Sequence, residues 1–92
     1  MDEKQLARIF KVLSVETRVR MLTLLKNHTL CVNALAKALD ITPAAISQHL
    51  RILRDADLVI DEKRGYFVHY SLNESTLSEW NEATKGLLEK IG

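Results

Sequence analysis

The sequence predicts a mainly α-helical fold with one β-hairpin, its elements ordered ααααββα. Apolar residues recur with the three- and four-residue spacing of amphipathic helices over most of the chain. Only residues 58–72 combine β-forming residues, a turn signal and apolar alternation. The length of 92 residues, with 47% hydrophobic and 27% charged residues, suits one small globular domain. We therefore expect residues 1–92 to form a single domain.

The first two helices are predicted on either side of Ser14. Apolar residues at positions i, i+3, i+4 and i+7 place the first helix over residues 3–13. Ser14 is expected to end this helix and to cap the second one, which we place over residues 15–26 with Glu16 in its first turn. The predicted inner face of the second helix consists of Val15, Val19, Leu22 and Leu25.

Two short helices joined by a three-residue turn follow a polar break. The third helix is predicted over residues 32–39, and residues 40–42 form the turn. The hydroxyl of Thr42 can cap the fourth helix, and Pro43 loses no hydrogen bond at the first helical position. This helix should run from residue 43 to about 56. Its predicted inner face consists of Ile46, Leu50 and Leu53.

A β-hairpin and a long helix complete the predicted fold. Residues 58–60 form one strand, Lys63-Arg64-Gly65 can turn, and residues 66–72 alternate as the second strand. Asn73 can cap the last helix, whose apolar residues step by three and four along one seam. A seam of this width predicts contact with a partner helix.

The third and fourth helices have the arrangement of a helix-turn-helix, and the fourth presents side chains suited to DNA. Ala44 and Ser47 are small enough to allow close approach to a major groove. Gln48 can pair with adenine, and Arg51 can reach guanine or phosphate. The hairpin that follows adds two cations for phosphate contact, Lys63 and Arg64. A hairpin directly after a helix-turn-helix predicts a winged helix.

The net charge of +1 conceals an uneven distribution along the chain. Residues 1–54 carry nine Lys/Arg and four Asp/Glu, whereas residues 55–92 carry four and eight. A solvated charged face is the commoner meaning of such an imbalance. The excess of positive charge around the helix-turn-helix is nevertheless what contact with a polyanion requires.

Four segments of the chain form a specific combination: Leu13–Arg18, Thr42–Leu50, Ala56–Val59 and Gly65–Tyr70. Together they resemble the ArsR/SmtB family of winged helix-turn-helix transcriptional repressors, over nearly the whole chain. The resemblance implies a homodimer that binds double-stranded DNA and releases it when an effector binds. For an operator read by a two-fold symmetric dimer, we expect an imperfect palindrome.

Side-chain chemistry and the resemblance together give two sets of candidate site residues. The candidate DNA-binding residues are Thr42, Pro43, Ala44, Ser47, Gln48, His49, Arg51, Lys63 and Arg64. The family dimerises through its first and last helices, which gives Leu6, Phe10, Leu13, Leu77, Trp80, Leu87 and Ile91 as candidate dimerisation residues. For His49 two interpretations stay open: a half-buried side chain bonded to another helix, or a contact to the DNA backbone.

The chain departs from the family at the positions where relatives bind metals. Many relatives have Cys-X-Cys at the start of the third helix, whereas here Cys31 is followed by Val32 and Asn33. Residues 74–92 contain no histidine, so the zinc-type site of the last helix is also missing. We predict no metal site and no cofactor. Cys31 is either a small buried hydrophobe or a redox or thiol sensor.

Other function classes fit the sequence less well. No Ser/His/Asp set, carboxylate pair or Gly-rich phosphate loop can be assembled, so an enzyme is disfavoured. The longest apolar runs are far shorter than the roughly 20 residues of a membrane span, and no secretory signal is visible, so we expect a cytoplasmic protein.

The alternative to a repressor is a winged-helix module that binds protein instead of DNA. Asp61 and Glu62, which make the wing less basic, support that alternative.

Overall fold

The computed structural model describes all 92 residues and contains five helices and three short strands. In chain order these are α1 (Glu3–Leu13), α2 (Glu16–Leu25), β1 (Leu30–Cys31), α3 (Val32–Leu39), α4 (Pro43–Asp55), β2 (Val59–Arg64), β3 (Phe67–Leu72) and α5 (Glu74–Ile91). The predicted mainly α-helical fold with a β-hairpin is confirmed, and the bounds predicted for α1 to α4 agree to within one residue. No helix has the length and apolar character needed to cross a membrane.

Strand β1 is the element that the sequence pattern does not predict. It pairs antiparallel with β3, with Leu30 opposite Tyr70 and Cys31 opposite His69, and gives a sheet of order β1-β3-β2. Two residues are too few to show alternation, so only the tertiary partner reveals this strand. By pairing with β3, it covers part of an edge that would otherwise expose unpaired backbone groups.

The hairpin turn lies one residue later than predicted. Lys63 and Arg64 belong to β2, where they pair with Val68 and Phe67, and the turn consists of Gly65 and Tyr66. Gly65 has a φ of +62° at the first central position, as in a type II′ turn that matches strand twist. Because successive strand residues point to opposite faces, Lys63 and Arg64 do not project together from the tip.

The helix caps are explained by local backbone conformation. The Thr42 hydroxyl accepts a hydrogen bond from the Ala45 N–H at 3.2 Å, and the Asn73 side chain accepts one from the Thr76 N–H at 3.4 Å, as predicted. The prediction that Ser14 caps α2 was wrong. Ser14 stays in the helical region and its hydroxyl donates to the Lys11 carbonyl at 2.7 Å, so it closes α1 instead. An N-cap requires extended backbone, and Val15 adopts it.

The core contains thirteen buried apolar residues drawn from every helix, from the residue before β2 and from the first residue of β2. The three residues predicted for the inner face of α4 are all buried at 0–2% exposure. In α2, however, the prediction for Val19 was wrong, because this side chain is 45% exposed and Met21 takes the buried place. Val19 and Met21 each lie on an apolar stripe of α2, and the two residues are about 160° apart around the helix. Helical periodicity alone does not show which of the two stripes is buried. The buried set is Ile9, Val12, Met21, Leu25, Leu35, Ala36, Leu39, Ile46, Leu50, Leu53, Leu58, Val59 and Trp80.

Candidate nucleic-acid interface

Helix α4 has one face held in the core and the opposite face open to solvent. Ala44, Ser47, Gln48 and Arg51 are all exposed. The ion pairs of the protein join Arg54 to Asp61 and Arg64 to Glu62, so the Arg51 guanidinium has no carboxylate partner. This exposed surface, which we call the reading face, therefore offers small side chains, an amide and a free cation. It can enter a groove without first breaking an ion pair.

The turn before α4 fixes where the helix begins. Asp40 has a φ of 55°, in the left-handed region, and its N–H donates to the carbonyls of Ala36 and Lys37 at the end of α3. Thr42 and Pro43 are exposed at the start of α4. The Thr42 hydroxyl oxygen accepts the capping bond, and the free Ala44 N–H and positive dipole end of this 13-residue helix favour an anion nearby.

His49 makes a hydrogen bond to another helix through one ring nitrogen. Its Nδ1 accepts from the Nε–H of Arg18 in α2 at 3.3 Å, and the Nη1 of Arg18 donates to the Val12 carbonyl at 3.1 Å. Burial, and secondarily the positive charge of Arg18, lower the pKa of His49 below the ordinary 6.5. The neutral ring that accepts at Nδ1 carries its proton on Nε2. Arg18 thus links α1, α2 and α4, a role that helical periodicity does not indicate.

The wing, which is the hairpin formed by β2 and β3, carries little unpaired positive charge. Arg64 pairs with Glu62 at 3.6 Å, and Asp61 pairs with Arg54 of α4 at 3.5 Å, with all four side chains exposed. Lys63 is the remaining cation of the wing and has no ion-pair partner. The tip is aromatic instead: Tyr66 is 99% exposed and Phe67 is 57% exposed. In the sequence these two residues belong to the strand pattern and to the Gly65–Tyr70 segment, and neither feature indicates an exposed aromatic tip.

The candidate dimerisation residues separate into exposed and buried members. Phe10 is 43% exposed on α1, Leu77 and Ile91 are exposed on α5, and Leu6, Leu13 and Leu87 are half-buried. Trp80 is only 9% exposed and belongs to the same core cluster as Ile9 and Leu58. The candidate dimerisation residue Trp80 is therefore not part of the apolar surface that one protomer leaves exposed. The indole packs inside the protomer, behind the exposed apolar residues of α1 and α5.

Cys31 lies at the junction of β1 and α3, where it is half-buried. Across the sheet it is paired with His69, which is paired in turn with Glu62. The Nδ1 of His69 is buried and has no hydrogen-bond partner. No three His, Cys, Asp or Glu side chains of the protomer converge in a geometry that can hold a metal ion. The intermediate burial of Cys31 fits both a packing role and a reactive thiol.

Comparison with known proteins places this chain among transcriptional regulators. Residues 16–61, from α2 to the start of the wing, match the family of bacterial regulatory proteins described as the arsR family. The chain is 37% identical over 71 residues to the transcriptional repressor SdpR of Bacillus subtilis, covering 77% of this chain and 79% of that protein. It is 43% identical over 67 residues to an arsenical resistance operon repressor of Escherichia coli, covering 72% and 57%.

A solved structure shares the fold. The homodimeric winged helix-turn-helix DNA-binding domain Mb0332 of Mycobacterium bovis superposes with a TM-score of 0.75 at 24% identity, covering 97% of this chain and 83% of that one. These proteins are regulators and not enzymes. The part matched in the Escherichia coli relative is little more than half of its length.

Proposed function

This chain belongs to the arsR family of bacterial regulatory proteins, and on that premise we propose that it is a homodimeric repressor that reads an imperfect palindrome in double-stranded DNA. The observation that carries the proposal is the reading face of α4, which is exposed and free of ion pairs. The alternative, a winged-helix module that binds protein, has the paired charges of the wing in its favour but does not account for that face.

Each residue of the reading face has a separate role in the proposed complex. Ala44 and Ser47 allow the helix to approach the floor of the major groove. Gln48 donates to and accepts from adenine, and Arg51 binds guanine or a phosphate. Thr42 and Pro43 hold the N-terminus of α4, where its dipole faces a phosphate. These contacts combine base recognition with positioning on the backbone.

Contacts outside the reading face add affinity without base recognition. His49 keeps its Nδ1 bond to Arg18 while its Nε2–H donates to a backbone phosphate, so both sequence interpretations hold together. Lys63 contributes a full charge from the wing. Arg64 contributes less, because Glu62 already neutralises part of its field.

We propose that residues 1–92 form one domain whose first and last helices make the dimer. The apolar side chains left exposed on α1 and α5 form a surface that soluble proteins seldom leave bare. The fold neighbour from Mycobacterium bovis is itself homodimeric. Trp80 supports the interface from within each protomer. The interface residues are Leu6, Phe10, Leu13, Leu77, Leu87 and Ile91.

The release signal is constrained by the available donor atoms. Each chain has one thiol, Cys31, and no histidine in α5. A zinc-type site needs three or four ligands, and these donors do not supply that number. We propose that zinc does not release the protein from DNA and that Cys31, the one thiol of the chain, is the only residue through which a thiol-directed signal could act. Zinc-induced release would contradict this part of the proposal.

A selection from a random duplex library, followed by affinity measurement at 100 mM salt, tests the proposed function. We expect a palindromic consensus whose half-site centres lie roughly 34 Å apart or a multiple of that distance. Gln48→Ala should weaken binding to the selected site by about 1–3 kcal/mol and relax base preference, whereas the control Ser75→Ala on exposed α5 should not. Absence of binding, or binding without dependence on salt, would leave only the protein-binding alternative.

A further inference from the structure

Helix α1 presents three distinct faces. Ile9 and Val12 are buried in the core, and a second, apolar face contributes to the proposed dimer. The third face carries Lys4, Arg8 and Lys11, which fall within about 60° of one another on the helix at 100° per residue. They extend over about 10 Å of helix length at 1.5 Å per residue. We call this set the cationic face of α1.

The charges of the cationic face are not paired with acids. None of its three residues takes part in an ion pair. Exposed helix surfaces ordinarily gain stability from acid–base pairs four residues apart, and like charges at that spacing cost a similar amount. Lys4 and Arg8 are such a like-charged pair. An unfavourable arrangement of this kind is expected where the charges meet an external anion.

A groove of about 620 Å³ separates the cationic face from the C-terminal end of α4. Three of its lining residues are apolar, and its charged lining comprises four cations and one acid, Asp55. Arg18 is the fourth cation and is already bonded to His49 and to the Val12 carbonyl. The three residues of the cationic face are exposed and remain available to a ligand. The lining residues are Lys4, Ala7, Arg8, Lys11, Val12, Arg18, Ile52 and Asp55.

One of the α4 residues that line the groove, Asp55, lies in the angular sector of the reading face. At 100° per residue from Ile46, Asp55 lies at about 180°, between Arg51 at about 140° and Gln48 at about 200°. The groove therefore continues the reading face by one helical turn. On α1 itself the cationic face is turned about 160° away from the apolar face formed by Leu6, Phe10 and Leu13, so dimerisation leaves it accessible.

From this placement we infer that the cationic face of α1 binds backbone phosphates of the DNA strand that borders the major groove occupied by α4. The inference rests on the proposed function, since it adds a second electrostatic surface to the same complex. Phosphate contacts of this kind fix the orientation of the protein on the duplex and carry no base information. Affinity for specific and random duplexes should therefore depend on the cationic face to the same degree.

Salt titration of DNA binding tests the inference with two variants of equal charge. Arg8→Gln/Lys11→Gln removes two cations from the groove, and Lys85→Gln/Lys90→Gln removes two exposed cations from α5. Each lost phosphate contact lowers the slope of log K against log salt by about 0.9, so the α1 variant should lose nearly two units per protomer, or about 3.6 for the dimer on its palindrome, while keeping its base preference. The α5 variant should keep a slope close to that of the wild type. Circular dichroism should show both variants folded.

Equal slopes for the two double variants would overturn the inference while leaving the proposed function intact, whereas failure of the wild type to bind any duplex would overturn both. Lys4→Gln, at the exposed start of α1, provides a variant with one charge fewer per protomer and an expected loss of about one unit per protomer, or nearly two for the dimer. Titration of the free protein with inorganic pyrophosphate distinguishes a small anion from the DNA backbone as the ligand. Binding of pyrophosphate that requires Arg8 and Lys11, combined with an unchanged DNA slope, would assign the groove to small anions and contradict the inference.

Discussion

At the scale of single residues, His49 combines a hydrogen bond to another helix with the phosphate contact that we propose for its second ring nitrogen. Its Nδ1 is committed to Arg18, which also binds the last turn of α1 through the Val12 carbonyl. The ring must stay neutral to accept that bond, and burial together with the neighbouring guanidinium keeps its pKa low. The orientation of α4 against α1 and α2 therefore depends on the protonation state of His49.

Acidification should destabilise the protein through His49. The pKa of His49 is lower in the folded chain than the 6.5 of an unperturbed histidine, so the unfolded chain binds more protons in this range. The stabilising contribution is complete above about pH 6.5 and is lost as the pH falls through the lower folded pKa. Urea unfolding between pH 7.5 and 5 should show a larger decrease in unfolding free energy for the wild type than for His49→Gln. Identical pH dependence of the two proteins would contradict this assignment.

At the scale of elements, the predictable parts are those in which local chemistry and tertiary packing agree. Helix α4 is one example, because its Thr42-Pro43 start and its buried stripe both follow from the sequence. Strand β1 is not predictable from the sequence because it depends on pairing with β3. The buried side of α2 is not predictable either, because it depends on which of two apolar stripes packs against the core. The reading face follows from periodicity, whereas the Arg18–His49 bond and the groove beside α1 depend on helix packing.

The wing should contribute to DNA binding mainly through Lys63. Lys63→Ala should flatten the salt dependence of log K by about one unit per protomer, or nearly two for the dimer. Arg64→Ala should have a smaller effect, because Arg64 is paired with Glu62. Glu62→Gln, which frees Arg64, should strengthen binding to all duplexes similarly. Salt titrations of the three variants check this order, and a larger loss for Arg64→Ala than for Lys63→Ala would show that the ion pair does not persist in the complex.

At the scale of the whole molecule, the apolar residues of α1 and α5 divide into those that stabilise the protomer and those available to a partner. Trp80 is part of the core, so Trp80→Ala should lower the unfolding free energy by about 3–5 kcal/mol. Phe10→Ser should instead weaken dimerisation, because its side chain is 43% exposed on the apolar face of α1. Val19→Ser is the matched control, with similar exposure on α2 outside that face. Sedimentation equilibrium that gives the same dimer dissociation constant for Phe10→Ser and Val19→Ser would contradict the proposed interface.

The central claim is that two copies of this chain read two half-sites together. Sedimentation velocity of the chain mixed with a labelled duplex measures the stoichiometry directly, once with the selected palindrome and once with one half-site scrambled. We predict two chains on the palindrome and binding to the scrambled duplex that is roughly tenfold weaker or more, since each mismatched base pair costs about 1–3 kcal/mol. One chain per duplex, with equal affinity for the two duplexes, would contradict the account.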